Sequence, residues 1–467
     1  MWPSAFRRSR SIRCIAMRDM LHIVTALLIA LGTSSLTAQG QLLRRPDTRT
    51  PVDVPAAESN GIHRYSSKRL ILYTDIESEQ ARELVKLVDQ VDSAWELQFG
   101  KLPEARDKSE FQITGYLMRD PTKFQKSNLL RRKLSPIIHG QSDGYEFWMH
   151  DQEAEYYRAH LLLHEATHCV TQCREPDDDQ KPIWFLEGMA EYFGSHQRSD
   201  AAAPQEKSLR FGVIPTSESV SHGFGRIEMI RAECQAGRAL SAKDVLALGT
   251  EEFAESRTTP YAWSWALCTF LATHPETASD FRNVCHQWET AQFSKSFQEF
   301  WDTHQSVIAA DWEIFRESLC YGFDLSRGAT VRDQQALLAQ GNTRKVTVQA
   351  DHGWQSTGIR VLQGQSIRIT ATGRVTLAQT NKPWVSEPQG ISVRYSEGKP
   401  MGRLLGAIQR EQPAEAGAIR HWEFMDIGPG AEWKIPETGV LFLRVNDRWN
   451  ELADNSGEYH VTVTNQD

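Results

Sequence analysis

The sequence predicts two domains of different class, an α+β domain over residues 65–325 and an all-β sandwich over residues 346–467. Three observations support this division. At 467 residues the chain is longer than a single domain with one hydrophobic core usually is. Through most of the first range, apolar residues recur with helical spacing and are interrupted by a few short alternating runs. After residue 346 only short alternating runs remain, separated by Gly, Pro, Asn and Asp.

The N-terminus has the pattern of a secretory signal peptide over residues 1–38. Five Arg residues precede the apolar run 21–31, which is short for a membrane span, and small residues ending at Ala38 offer a cleavage site. Cleavage near Ala38 predicts a secreted or periplasmic protein with no transmembrane anchor in the mature chain. The polar, Pro-containing stretch 39–64 is predicted to be a linker.

The charge and the cysteines narrow the class of protein further. The net charge is −8 at pH 7, and removal of a signal peptide with five Arg and one Asp takes it to −12. An acidic chain without a basic tract argues against nucleic acid as a partner. Six cysteines remain after cleavage, and in an exported protein these can form disulfides or stay as buried free thiols.

The elements of the first domain follow from the spacing of apolar residues. A strand is predicted at 69–74, and an amphipathic helix with an apolar stripe is predicted at 79–99. Alternation then predicts strands at 111–118 and 145–149. The remaining segments have helical spacing and are predicted as helices at 157–172, 182–193, 224–237, 241–248, 260–274 and 276–320.

The second domain is predicted from its turn residues. A linker at 326–345 precedes it, and no cysteine occurs within it. Alternating runs bounded by turn residues predict strands at 359–361, 366–371, 440–445 and 459–463.

One motif carries the chemistry of the first domain. His164, Glu165 and His168 form an H-E-x-x-H pattern in the helix 157–172, and Glu187 follows after eighteen intervening residues. Residues four apart share a helix face, so the two imidazoles can bind one ion while Glu165 approaches a metal-bound water. With Glu187 as third ligand, one coordination position stays open, as a catalytic zinc requires. The alternative is that His164 and His168 are buried core histidines that bind no metal. The Glu187 in a second helical segment favours the metal site over this alternative.

These segments resemble a known family. H-E-A-T-H at 164–168 and W-F-L-E-G-M-A-E-Y-F at 184–193 are similar to the peptidase MA-like domain, the gluzincin branch of zinc metallopeptidases. The resemblance implies a zincin-like α+β fold and zinc held by the two histidines and Glu187. It also implies Glu165 as general base and a protein or peptide as substrate.

The same resemblance implies supporting residues. A donor to the oxyanion is expected downstream, with Tyr261 as first candidate and His222 as second. Glu191, one turn after Glu187, would hydrogen-bond a zinc-bound imidazole. The strand at 145–149 would line the cleft and pair with extended substrate. The amine-binding motif of the aminopeptidase branch is missing before this helix, so an endopeptidase is expected.

The second domain resembles the calcium-dependent galactose-binding lectins of bacteria. The parallels are at 353–359, 364–369, 388–390, 446–447 and 454–457. They imply Ca²⁺ ligands from Asp447, Asp454 and Asn455, with the carbonyls of Leu377 and Glu451. The alternative is that these side chains cap turns. A glycan partner is expected, although the sugar-contacting His-x-x-Gln pattern of those lectins is missing at 391–399.

Together these observations predict an exported zinc metallopeptidase that is targeted by a lectin-like domain. The alternative, from a different class, is a carbohydrate-binding or adhesion protein whose peptidase-like domain is catalytically idle.

Overall fold

The computed structural model describes residues 46–467 apart from 103–109, 131–136, 175–180, 199–208, 255–257, 289, 291, 380 and 412–419. The predicted signal peptide at 1–38 lies outside the described residues, as does the first part of the predicted linker. All described residues belong to one compact unit. Among them, no helix combines the length and the apolar character that crossing a bilayer needs.

The first part of the chain contains a five-stranded sheet. Its strands are β1 (His63–Ser66), β2 (Leu70–Thr74), β3 (Ile113–Met118), β4 (Gly140–Asp143) and β5 (Glu146–His150). Their spatial order is β1-β2-β3-β5-β4, with β2, β3 and β5 parallel and the two outer strands antiparallel. All residues of β3 are buried, as expected for a strand covered on both faces. The strands predicted in this part are confirmed.

The position of β5 corrects one expectation. The segment 145–149 is a strand, but β3 and β4 occupy its two sides, so it cannot pair with a substrate. The outer strand is β4, and no further partner lies along it among the described strands. Sequence alternation did not identify β4, because its four residues are all half-buried and show no apolar pattern.

Most of the remaining residues of the first part are in helices that pack around this sheet. In chain order they are α1 (Val54–Ser59), α2 (Ser78–Phe99), α3 (Pro121–Lys126), α4 (Glu155–Gln172), α5 (Ile183–Gly194), α6 (Arg226–Gln235), α7 (Ala242–Leu246), α8 (Thr250–Ala254), α9 (Thr259–Thr273), α10 (Ala278–Cys285), α11 (Phe293–Ser318) and α12 (Leu325–Gly328). A short hairpin of β6 (His196–Arg198) and β7 (Leu209–Phe211) follows α5. The helix predicted at 276–320 is two helices, α10 and α11. The described cysteines form no disulfide.

The predicted linker at 39–64 is partly structured. Its described residues include α1 and the first residues of β1. Asp53 caps α1 by accepting a hydrogen bond from the Ala56 amide at 3.1 Å. Ala57 and Ile62 are buried in a small apolar cluster with Tyr73. Because the segment has so few apolar residues, their spacing does not reveal a helix or a strand in the sequence.

The second part is a sandwich of two sheets. Its strands are β8 (Ala336–Leu337), β9 (Thr343–Gln349), β10 (Gln355–Val361), β11 (Ser366–Thr376), β12 (Val385–Ser386), β13 (Ile391–Ser396), β14 (Lys399–Met401), β15 (Leu404–Arg410), β16 (Trp422–Asp426), β17 (Gly430–Lys434), β18 (Gly439–Val445) and β19 (Ser456–Asn465). One sheet has the order β16-β15-β18-β10-β8, and the other has β12-β11-β19-β9 with β17 beside β11. The hairpin β13–β14 stands apart from both sheets.

Strand β18 joins the two parts of the molecule. Successive side chains of a strand point to opposite faces. Leu441 and Leu443 therefore lie in the core between the two sheets, whereas Val440 and Phe442 lie in the core shared with the helices. The sheet that contains β18 is therefore buried on both faces. One face packs against the other sheet of the sandwich, and the other face packs against the helical part.

The predicted linker at 326–345 is held in this junction. Asp311 of α11 is buried, and it accepts hydrogen bonds from the Thr330 hydroxyl and amide at 2.7 and 3.1 Å and from Arg332 Nη2 at 2.7 Å. His274 Nε2 lies 2.9 Å from the same carboxylate. Burial would raise the pKa of Asp311, but His274 and Arg332 lower it to about 2. Thr330 and Arg332 of this segment thus bind a buried carboxylate of the helical part, by hydrogen bonds and an ion pair respectively.

Candidate metal centre

Two neighbouring helices bring three ligand atoms together. His164 and His168 lie on one face of α4, and their Nε2 atoms are 3.1 Å apart. Glu187 on α5 places Oε2 at 3.3 Å from the first and 3.2 Å from the second. Ligand atoms of a tetrahedral zinc with bonds of about 2.0–2.1 Å lie about 3.3–3.4 Å apart. The three side chains therefore fit one zinc ion with a fourth position open.

Charge among these ligands agrees with that fit. Burial would raise the pKa of Glu187, but the adjacent imidazoles of His168 and His164 lower it to about 2. The carboxylate is therefore ionised at neutral pH, as a metal ligand must be.

Glu165 lies beside the three ligand atoms without joining them. It is buried at the turn of α4 that passes strand β4, and a Cβ added to Gly140 would be 2.3 Å from Glu165 Oε1. The pKa of Glu165 is raised to about 8: burial raises it most, the His168 imidazole opposes this, and the charge of Glu187 adds to the rise. A carboxyl group in such surroundings is suited to exchanging a proton near neutral pH.

A buried network stands behind His164. Glu191 Oε1 lies 3.5 Å from His164 Nδ1. Arg226 of α6 donates to both oxygens of Glu191, from Nη2 at 2.8 Å and from Nε at 2.9 Å. His160 Nε2 is 3.0 Å from Glu191 Oε2. Burial would raise the pKa of Glu191, but Arg226 and His160 hold it well below its usual range.

The sequence pattern predicts a supporting role for Glu191 but none for His160 or Arg226. His160 precedes His164 by four residues, so helical spacing could have included it in the same face. Arg226 is separated from Glu191 by 35 residues, and no local pattern connects them.

The two candidates for the oxyanion donor lie in different places. Tyr261 borders the cleft with His164, and their ring centroids are 6.4 Å apart. Burial, followed by the charge of Glu187, raises the pKa of Tyr261, so its hydroxyl keeps its proton. His222 is exposed in the loop before α6 and is not among the residues that line the cleft. The structure therefore brings Tyr261 to the site and leaves His222 outside it.

The cleft is open and lies along the outer strand. It has a volume of about 730 Å³ and is lined by β4, by the metal-ligand residues and by residues 248–250. A second cavity of about 280 Å³ shares Gly140, Glu165 and Tyr261 with it. Gln172 fixes β4 at this wall, accepting from the Gly144 amide at 2.7 Å and donating to Ser142 Oγ at 3.0 Å.

Gly188 determines how closely α5 approaches α9. A Cβ added there would be 2.6 Å from the Ser264 carbonyl oxygen and 2.6 Å from Cys268 Sγ. The side chain missing at this position therefore lets α5, which carries Glu187 and Glu191, pack directly on α9.

A second candidate site lies in the sandwich, at the end of β18. Asp447 and Asn455 are buried, and burial raises the pKa of Asp447 to about 6 although a hydrogen bond with Asn455 lowers it. Asp447 Oδ2, Asn455 Oδ1 and Asn446 Oδ1 have no hydrogen-bond partner among the described residues. Buried oxygens without partners are the ligand type that Ca²⁺ prefers. Asp454 is exposed and, unlike Asp447 and Asn455, contributes no buried oxygen without a partner. Asn446 belongs to the lectin-like motif at 446–447 but was not among the predicted ligands.

Comparison with known proteins bears on the sandwich. No protein-family model matches the chain. Lectin A of Photorhabdus laumondii is 28% identical over 118 residues, which are 25% of this chain and 86% of Lectin A. This length is close to that of the sandwich, and the similarity supports a lectin-like domain over about a quarter of the chain.

Two solved structures also align with part of the chain. The N-terminal domain of EclA, a PllA-like lectin, has a TM-score of 0.21 at 25% identity and covers 26% of this chain and 96% of its own. PliG of Aeromonas hydrophila, a periplasmic inhibitor of g-type lysozyme, has a TM-score of 0.16 at 15% identity, with coverages of 29% and 96%. The similarity to Lectin A covers about a quarter of the chain and gives no evidence for a zinc metallopeptidase domain.

Proposed function

We propose that this protein is an exported zinc-dependent endopeptidase of the gluzincin type with a glycan-binding sandwich. The observation that carries the proposal is the set of three ligand atoms 3.1–3.3 Å apart with Glu165 beside them. If His164 and His168 were only core residues and Glu187 only a surface residue, nothing would favour placing their ligand atoms at the separations found around a tetrahedral zinc ion.

The residues of the chain divide the work of hydrolysis. Bound zinc would supply a Lewis acid and a water of lowered pKa. Glu165 would take the proton of the attacking water and pass it to the leaving amine. The Tyr261 hydroxyl would donate a hydrogen bond to the oxygen on which negative charge develops. The outer edge of β4 would hydrogen-bond an extended peptide, the role that was expected of the segment 145–149.

The second candidate function is carbohydrate binding with an idle first part. The similarity to Lectin A favours it, and the relatives support carbohydrate binding more than peptide hydrolysis. Metal analysis of the purified mature chain, together with cleavage of an unfolded protein library, separates the two functions. We expect one zinc per chain and cleavage that a chelator abolishes and zinc restores. Bound zinc without cleavage would favour the second candidate, and absence of zinc would refute the first.

Substitution of Gly140 by Ala should impair hydrolysis without unfolding the protein. The added Cβ would overlap the Glu165 carboxylate at 2.3 Å, so the carboxylate must move. A displacement of about 1 Å at a reacting group can cost about 100-fold in rate. We expect a loss of kcat/KM of about 10–100-fold with unchanged zinc content. In a Glu165→Gln background the same substitution should have no further effect, and an additive loss would contradict this account.

Calcium should stabilise the folded protein through the sandwich. A ligand at about 100 times its dissociation constant adds about 2.7 kcal/mol to the free energy of unfolding. We expect Ca²⁺ to raise the melting temperature of the full chain and Asp447→Asn to remove this response, because a carboxylate ligand is lost. Asp333→Asn, at an exposed position outside the helices and strands, serves as the control. An equal response to Ca²⁺ in Asp447→Asn would exclude this site.

A further inference from the structure

His160 is a polar side chain in apolar surroundings. Its ring is 1% exposed and lies among aromatic rings, with centroids at 5.8 Å for Tyr157 and 5.3 Å for Phe224. Among the described residues, Glu191 is its one hydrogen-bonding partner, and its Nδ1 has none. Burying an imidazole with an unsatisfied nitrogen costs free energy that a hydrocarbon side chain would not. Packing alone therefore does not account for a histidine here.

The neighbouring backbone leaves room for this ring. A Cβ added to Gly194, at the end of α5, would lie 2.7–3.0 Å from three atoms of the His160 imidazole. The absence of a side chain at 194 thus allows the ring to reach Glu191, which is one turn earlier on α5. Two positions, His160 on α4 and Gly194 on α5, support the same contact.

A second metal ion is not the explanation for this contact. His160, His164 and Glu191 have ligand atoms close enough to hold an ion. However, Arg226 donates to both oxygens of Glu191 at 2.8 and 2.9 Å, so a cation there would face a guanidinium already paired with the same carboxylate. The arrangement fixes the orientation of Glu191 instead.

We propose that His160 is a positioning residue for the zinc centre, acting through Glu191 on His164. Arg226 Nε and His160 Nε2 both approach Oε2, at 2.9 and 3.0 Å. The other oxygen, Oε1, accepts from Arg226 Nη2 at 2.8 Å and also faces His164 Nδ1 at 3.5 Å, a nitrogen with no other partner among the described residues. A carboxylate at Nδ1 retains the proton there and keeps Nε2 free to bind the ion. The inference rests on the proposed function, because it assigns His160 a role only if His164 binds zinc.

The test compares three proteins as full chains. His160→Leu keeps an apolar volume and removes the donor, whereas His160→Gln keeps a donor at the end of a side chain of similar reach. Zinc alone is the probe, and its dissociation constant is measured by competition with a chelator. The visible spectrum of the Co²⁺-substituted protein reports ligand geometry independently. Loss of a partner behind a metal ligand typically weakens metal binding about 10–100-fold.

We expect His160→Leu to weaken zinc binding within that range and to shift the cobalt spectrum. The metal-free form should melt no lower than wild type, and His160→Gln should restore both zinc readouts. Unchanged zinc binding and spectrum in His160→Leu would overturn the inference and leave the proposed function intact. Equal weakening in both variants would mean a packing role and would also overturn it. A wild-type chain that binds no zinc would overturn both proposals together.

Discussion

Replacement of Glu165 by Gln should lower kcat for peptide hydrolysis by about 10²–10⁴-fold, the usual contribution of a general acid–base residue. Gln has the same shape but cannot accept the proton of the attacking water. Glu165 is not among the three ligand atoms that lie 3.1–3.3 Å apart, so zinc content should stay at the wild-type value. Steady-state kinetics on a fluorogenic peptide, with metal analysis of the same preparation, measures both quantities.

The matched control is Glu155→Gln on the same helix. Glu155 is exposed in the first turn of α4, about two turns before His164, and the Glu155→Gln variant should have the wild-type kcat. Retention of more than a tenth of the activity by Glu165→Gln would contradict the assignment of Glu165 as general base. Loss of zinc in that variant would mean that Glu165 is a ligand instead.

Substitution of Trp422 by Ala should destabilise both parts of the molecule by about 3–5 kcal/mol, the usual range for truncation of a buried aromatic side chain. Trp422 is 2% exposed on β16, and its Nε1 donates to the Ala310 carbonyl of α11 at 2.9 Å. Its ring also contacts Phe442 at a centroid distance of 5.1 Å. Because this core is shared, far-ultraviolet circular dichroism and zinc release should both report an earlier transition in denaturant.

Phe424→Ala on the same strand is the control for Trp422→Ala. Phe424 is 50% exposed, so its truncation removes much less buried area and should cost well under half as much. Equal effects of the two substitutions would mean that the interface with α11 contributes little to stability.

The shared core also determines how glycan binding should be measured. Separation of residues 346–467 would expose the side chains of Trp422, Phe442 and Trp449, which are buried against the helical part. An apolar face of this kind favours aggregation of an isolated fragment. Glycan arrays with and without Ca²⁺ are therefore best performed on the full chain, with Asp447→Asn as the comparison.

In the candidate metal centre, the relative position of the two histidines could be predicted because both lie on one helix. Residues four apart lie on the same face of α4, so His164 and His168 had to be neighbours once the segment was helical. Glu191 was also placed correctly relative to Glu187, for the same reason on α5. The spacing of apolar residues in α4 and in α5 does not predict whether the two helices pack so that Glu187 meets the two histidines.

Several parts of the site depend on contacts between distant segments. The packing of α9 brings Tyr261, and not His222, to the cleft, and the hydrogen-bond partners of β4 and β5 make β4 the outer strand. Neither arrangement has a local signal, because strand neighbours and helix contacts are selected by the whole core.

The sequence by itself determined the two structural classes, the helix that carries His164 and His168, and four strands of the sandwich, β10, β11, β18 and β19. Those features follow from backbone geometry over a few residues, which side-chain spacing reports directly. Only the tertiary structure decided that β18 is buried on both faces, so that the sandwich and the helices share a core, and that Arg226 and His160 meet at Glu191. These contacts join residues 31 or more positions apart, and burial of the complete chain, not local conformation, selects them.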